Sequence, residues 1–254
     1  MPHRFRLLRT GAGTAAFNMG LDEAVLESVA SGSAEPTLRF YSWTPPAVTI
    51  GYFQGMEEEI DIAACARNGI DAVRRLTGGG AVLHQHEITY SVVLPESHPL
   101  ADPVILRSYE RLCAGIVAGL ARLGVTAEFA PINDIAASGR KVSGNAQTRR
   151  LGCILQHGTV LLDLDVGLMF DILKVPAEKM RGKLVADVKA RVVGLAGLLG
   201  RPVGFVEAEE ALRMGFASAL DLDLVPSEPT VAELERARDL AVTRFSSREW
   251  NFRR

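Results

Sequence analysis

Three consecutive glycines, Gly78, Gly79 and Gly80, follow Arg74 and Arg75 and precede a run in which Ile88, Tyr90, Val92 and Leu94 recur at every second position. That period is the signature of a strand with one face in a core. Residues 70–75 read as the strand that delivers the glycines, so the unit is strand, loop, strand. Glycine permits positive φ and lets backbone N–H groups press against a ligand. The loop is therefore either a tight hairpin or an anion-binding nest with arginines beside it. It is not a Walker loop, because no Gly-Lys-Ser/Thr closes it, and no G-x-G-x-x-G opens a helix here.

Around this unit the first two thirds of the chain read as strands and the last third as helices. Residues 4–9, 37–43 and 47–53 form further strands, with Thr44, Pro45 and Pro46 breaking the ladder between the last two. Asn18 is placed to cap a helix whose first turn carries Asp22 and Glu23, and 57–68 reads as another helix. From 105 to 120, Ile105, Tyr109, Leu112, Cys113, Ile116 and Leu120 fall at helical spacing. Ser138 and Gly139 mark a turn between two short strands. Asn133 and Asp134 lie on one of them, and period 2 puts Lys141, Ser143 and Asn145 on one face of the other. Residues 151–162 read as two strands broken near His157 and Gly158, that histidine being a structural hydrogen-bonding residue. Helical patterns then cover 166–173, 177–189, 206–220 and 231–243. The expected class is α+β, a mixed or antiparallel central sheet with flanking helices and a helical C-terminal portion. One domain over 1–254 is expected, sheet-rich to residue 165 and helical from 166, since no repeat or linker divides it.

Composition narrows the partners. A formal net charge of −2 argues against a nucleic-acid surface, and nowhere do apolar residues run long enough to span a membrane. The N-terminus has no apolar signal core, so a cytoplasmic protein is expected. Cys65, Cys113 and Cys153 show neither zinc-ligand nor disulfide spacing, which fits a reducing compartment, and no tightly bound metal is expected.

Read together, the glycine motif with His84, Asn133-Asp134, the Gly139 to Ala146 segment, His157-Gly158, segment 173–179, the segment from Ala190 and Arg191 onward, and the closing Glu249-Trp250-Asn251 resemble the lipoate-protein ligases. These belong to the wider biotin and lipoate ligase and octanoyltransferase fold group. The resemblance implies an ATP-dependent ligase: lipoate attacks the α-phosphate of ATP to give lipoyl-AMP, and a lysine of an apo lipoyl acceptor domain, of the 2-oxoacid dehydrogenase or glycine cleavage type, takes the lipoyl group. In that reading Lys141 is catalytic, stabilising charge on the acyl carbonyl and phosphate. Arg74, Arg75, Gly78, Gly79, Gly80, His84, Asn133, Asp134, Ser143 and Gly144 bind lipoate and nucleotide, with Asp134 also the partner of Mg2+. The chain length matches relatives that work with a separate accessory subunit, which implies one here.

Two departures qualify the match. Many ligases have aspartate after the histidine of the glycine motif, where this chain has Gln85. The octanoyltransferases of the fold group, which move the acyl group between carrier proteins without ATP, hold it on a cysteine before the Gly-Arg-Lys motif. Here that region is Phe129 to Asp134 and contains no cysteine. On that absence the ligase is the expected activity, with the transferase the alternative and a non-catalytic lipoyl-binding protein a third.

Overall fold

The computed structural model describes residues 1–174 and 181–253. The chain opens with β1 (His3–Gly13), α1 (Ala15–Ala30), β2 (Thr37–Trp43) and β3 (Ala47–Ile50). Two short helices, α2 (Met56–Glu59) and α3 (Ile62–Arg67), lead to β4 (Asp71–Arg74), β5 (Val82–His84) and β6 (Glu87–Pro95). After α4 (Ile105–Arg122) come β7 (Ala127–Ala130), β8 (Asp134–Ala137), β9 (Arg140–Arg150) and β10 (Cys153–Leu161). The remainder holds α5 (Val166–Ile172), α6 (Arg181–Arg191), α7 (Leu195–Leu199), α8 (Phe205–Ala219), β11 (Leu222–Ser227), α9 (Val231–Leu240) and α10 (Arg248–Asn251).

Eight strands form one mixed sheet in the order β11-β1-β2-β6-β10-β9-β8-β7, and β4-β3-β5 form a small second sheet. The first three strands of the large sheet run parallel and the others antiparallel. Helices cover both faces. Ile88, Tyr90, Val92 and Leu94 of β6 do share one face, in a core with Leu112 and Ile116 of α4 and Leu212 and Phe216 of α8. On the other face α1 and α9 pack over Tyr41, Val93 and Leu155. Helices α4 and α8 approach so closely that a Cβ on Gly215 would lie 2.2 Å from the Gly119 nitrogen, so this crossing requires glycine.

Four local expectations give way to tertiary contacts. The N-cap of α1 is Thr14, one turn before Asn18; Asn18 is buried and donates to the carbonyls of Gly13 (3.1 Å) and Ser42 (2.8 Å). The expected helix over 57–68 is two helices, because Ile60 bridges to Leu173 and Asp61 caps α3. Strand β10 runs unbroken through Gly158, where a Cβ would meet Asn145 Oδ1 at 2.1 Å: the glycine admits a neighbouring side chain and breaks nothing. Within the C-terminal portion, β11 returns to pair in parallel with β1. Most of segment 173–179 and the start of the helix expected over 177–189 lie outside the described residues.

Candidate active site

A cavity opens between the small sheet and the face of the large sheet that carries α1. Met19, Tyr41, Trp43, Val82 and Ala146 give it apolar walls, and Lys141, Asn133, Thr159 and His157 supply polar groups. Gly79 and Gly80 close one side. The sequence-derived residues His84, Arg75, Gly144 and Lys141 line it too, so strands far apart in sequence converge on one space.

Lys141 reaches the cavity through an irregularity. Ser143 pairs with Ile135 and Lys141 with Ala136, which makes Val142 an extra residue on β9. Such a bulge reverses the alternation. Val142 and Ser143 go to the α4 side, Val142 into the core there, while Lys141 and Gly144 share the cavity side. The expectation that Lys141 and Ser143 share a face is therefore corrected. Ser143 does not line the cavity, and its hydroxyl is buried without a hydrogen-bond partner among the described residues. The Lys141 chain crosses Gly144, where a Cβ would stand 2.9 Å from its Nζ, and ends 2.7 Å from Asp134 Oδ1. Both charged groups are part-exposed at the rim. Asp134 thus meets an ammonium, and no cluster of three or more His, Cys, Asp or Glu suited to a metal occurs among the described residues. Asn133 is pinned behind, its carbonyl accepting from Asn145 Nδ2 at 2.9 Å.

The two arginines are spent internally. Arg74 is fully buried and does not line the cavity. It donates to the carbonyls of Gly51, Tyr52, Gln54, Trp250 and Asn251, tying the loop after β3 to α10. Arg75 donates all five of its N–H bonds: Nε to Thr77 Oγ1, Nη1 to the Thr49 carbonyl and hydroxyl, Nη2 to the carbonyls of Gly78 and Gly80. Burial lowers its pKa to about 10, so it stays charged near neutrality. The glycine loop is folded around this guanidinium. Gly79 adopts φ +92, and Gly51 must lack a side chain because a Cβ there would lie 2.0 Å from the Gly79 carbonyl oxygen. Gly78 itself does not reach the cavity lining.

Two carboxylate–imidazole–hydroxyl rows converge on Arg75. In one, Asp22 Oδ2 is 3.1 Å from His157 Nδ1, whose Nε2 is 2.7 Å from Thr77 Oγ1. In the other, Glu87 Oε1 is 2.5 Å from His84 Nδ1, whose Nε2 is 2.9 Å from Thr49 Oγ1. Each threonine oxygen accepts from Arg75, and each carboxylate, which can only accept, faces an Nδ1–H of its imidazole. Burial lowers the His157 pKa, against the raising effect of Asp22, so the ring is neutral. Burial also works against the Asp22 carboxylate, but the His157 hydrogen bond and the Arg39 charge outweigh it and hold the carboxyl below its ordinary range. Arg39, itself buried, pairs with Asp22 at 2.8 Å. Trp43 stacks on the His84 ring at 4.1 Å and donates to Thr89, which donates to Glu87. Of these residues Asp22, Arg39, Thr49, Thr77 and Glu87 escaped the sequence reading. The available signal was Asn18 and Asp22, one turn apart and the only polar residues among the first eight of α1.

Residues 14–217 match the family described as the lipoyl protein ligase A/B catalytic domain. The chain belongs to this family. Octanoyltransferase LipM of Kyrpidia tusciae is 42% identical over 98% of this chain and 99% of its own length. LipM of Bacillus subtilis is 36% identical over 98% of each. Among solved structures, a chain of the bi-partite lipoate protein ligase and E2 lipoyl domain system of Thermoplasma acidophilum superposes with TM-score 0.88 at 34% identity, covering 99% of this chain and 96% of that one. Lipoate-protein ligase A bound with ATP gives 0.83 at 33%, covering 99% of both.

These relatives correct the expected activity. The ATP-dependent ligase rested on one missing cysteine, whereas the Kyrpidia tusciae and Bacillus subtilis relatives, matched over 98% or more of their own length, are named octanoyltransferases. The phosphate roles given to Arg74 and Arg75 also lose their footing, because their donors serve backbone carbonyls and threonine oxygens. Solved lipoate-protein ligases superpose on this chain as well, so the architecture alone does not separate the two activities. Among the described residues no helix is long and apolar enough to cross a membrane.

Proposed function

We propose that this chain is an acyltransferase of protein lipoylation, moving an octanoyl group from a carrier-bound thioester to a lysine of a lipoyl acceptor domain without ATP. The observation that carries the reading is the end-to-end kinship with octanoyltransferases, on a cavity whose walls are apolar and whose one rim cation is Lys141 among the lining residues not already saturated. A medium-length acyl chain gains about 0.8 kcal/mol for each methylene buried. Met19, Tyr41, Trp43, Val82 and Ala146 are the residues assigned to that burial.

The chemistry needs an amine brought to an acyl carbonyl and a charge aimed at the oxygen that becomes anionic. Lys141 has that role, with Asp134 fixing its Nζ at 2.7 Å and Asn133 and the Gly79-Gly80 backbone beside it. His84 and Arg75 shape the wall that holds the loop, and Gly144 leaves room for the lysine. The accessory subunit came with the resemblance to ligases, whose adenylation step this transfer does not contain. Lipoate-loaded carriers are a second acyl donor to be compared with octanoyl.

The test is to mix the purified chain with octanoyl-loaded carrier protein and an apo lipoyl domain, with and without ATP, and to weigh the acceptor. Equal octanoyl gain in both supports the reading. Modification that needs ATP and free acid would sink it.

A further inference from the structure

Tyr90 of β6, Gly158 of β10 and Asn145 of β9 pair in register and form one row across three neighbouring strands. Glycine in the middle position lets the two outer side chains meet over it. A Cβ on Gly158 would lie 2.1 Å from Asn145 Oδ1, and the Tyr90 hydroxyl donates to that same oxygen at 2.7 Å. Tyr90 is fully buried in the core with α4 and does not line the cavity. Asn145 does, between Gly144 and Ala146, so any influence of Tyr90 on a bound molecule passes through it.

The direction of every hydrogen bond in this row follows from one backbone carbonyl. That of Asn133 can only accept, and it takes both the backbone N–H of Asn145 at 3.0 Å and its Nδ2 at 2.9 Å. Asn133 Nδ2 donates in return to the Asn145 carbonyl. With Nδ2 committed, Asn145 presents its amide oxygen to Tyr90, whose hydroxyl must donate. Tyr90 Oη in turn accepts from Gln156 Nε2 at 2.8 Å, and Gln156 Oε1 accepts from Gln147 Nε2 at 3.0 Å. Gln147 is tied to α4 by Ser108 Oγ at 3.0 Å and by the Tyr109 hydroxyl, which accepts its backbone N–H at 2.7 Å. Burial lifts the Tyr90 phenol well above its ordinary range, so the donor keeps its proton near neutrality. At the other end, Asn133 lines the cavity, and the next residue, Asp134, holds Lys141 Nζ at 2.7 Å.

We propose that Tyr90 is a positioning residue for acyl transfer: its hydroxyl orients the Asn145 amide, which holds Asn133 and thereby sets where Asp134 presents Lys141 to the acyl carbonyl. The inference rests on the acyltransferase reading. No bond to Tyr90 changes during the reaction. What it controls is placement, and a shift of about 1 Å at a reacting centre can cost about a hundredfold in rate.

Tyr90→Phe tests this on the full chain, because it removes one oxygen and keeps the ring against Phe216, 5.2 Å away. In octanoyl transfer without ATP it should lower kcat about tenfold and leave KM for the loaded carrier within about twofold, since the apolar walls are untouched. In the Lys141→Ala background the same change should cost less than about twofold, because the two residues act along one line. Asn145→Ala cuts that line one step nearer the rim and should repeat both results; it carries the test if Tyr90→Phe is not folded by circular dichroism. Wild-type kcat in the folded variants, a loss carried by KM instead, or an undiminished loss in the Lys141→Ala background would each overturn the positioning role while the acyltransferase stands. A wild-type chain that moves octanoyl only with ATP would instead remove the acyltransferase reading, and this inference with it.

Discussion

Lys141 Nζ lies 2.7 Å from Asp134 Oδ1 because one extra residue, Val142, turns the lysine out of the core face of β9 and over the bare backbone of Gly144. The pair gives a part-exposed ammonium a fixed direction at the mouth of an apolar cavity. Its use is directional, since an ion pair this exposed contributes little to stability.

Lys141→Ala should therefore lower the octanoyl transfer rate about a hundredfold, the roughly 3 kcal/mol that one aimed donor supplies to a developing oxyanion. Thermal unfolding should be nearly unchanged. Lys141→Arg should recover only part of the rate, because a planar fork does not place its charge where the ammonium does. A Lys141→Ala variant with wild-type turnover would remove the residue from the chemistry.

Gly144→Ala introduces a Cβ at 2.9 Å from both Cε and Nζ of Lys141. The lysine end is flexible and can move aside, so the fold should survive while Lys141 loses its position beside Asp134. We expect a clear fall in kcat with a stability change within about 0.5 kcal/mol, to be read from turnover and urea denaturation on the same sample.

Arg75→Lys replaces five donors by three, so at least two of the five oxygens on Thr49, Thr77, Gly78 and Gly80 lose the donor they accept from. At about 1–3 kcal/mol for each buried orphan, a loss of about 2–6 kcal/mol is expected, with faster amide exchange in the glycine loop. Unchanged denaturation midpoints would show that the loop does not depend on this clamp.

Acid should destabilise the protein in two stages. His157 has a folded pKa below its ordinary 6.5, so the unfolded chain binds the proton more readily and stability present above that pH declines as pH falls below it. The maximal slope is about 1.4 kcal/mol per pH unit for one such group. Asp22 is also lowered, so its contribution is present above its ordinary 3.8 and is lost as pH falls from there through the folded value. His98, lowered by burial and the nearby His3, adds a change of the same sign as His157. Denaturation of wild type and His157→Gln between pH 7.5 and 5 separates the shares: the variant should show the shallower slope, and equal slopes would assign the effect elsewhere.

What the amino-acid sequence by itself determined was local in origin. The alternation of Ile88, Tyr90, Val92 and Leu94, the turn at Ser138-Gly139 and the helical stripe of Tyr109, Leu112, Cys113, Ile116 and Leu120 appear where expected, because side-chain period and turn chemistry act over a few residues, while Ile105 at the head of that stripe is exposed. The family motifs likewise named Lys141, Asn133, His84 and Gly79, all of which meet at the cavity. Tertiary structure alone decided what those residues can do. Whether an arginine is free for a ligand depends on which carbonyls reach it, and Arg74 finds Asn251, 177 positions away. Asp22 and His157 meet across 135 positions, and β11 joins β1 from opposite ends of the chain. A single bulge at Val142, set by pairing with β8, sent Ser143 to one face and Lys141 to the other. Such pairings depend on contacts between distant segments, and periodicity within one segment carries no record of them.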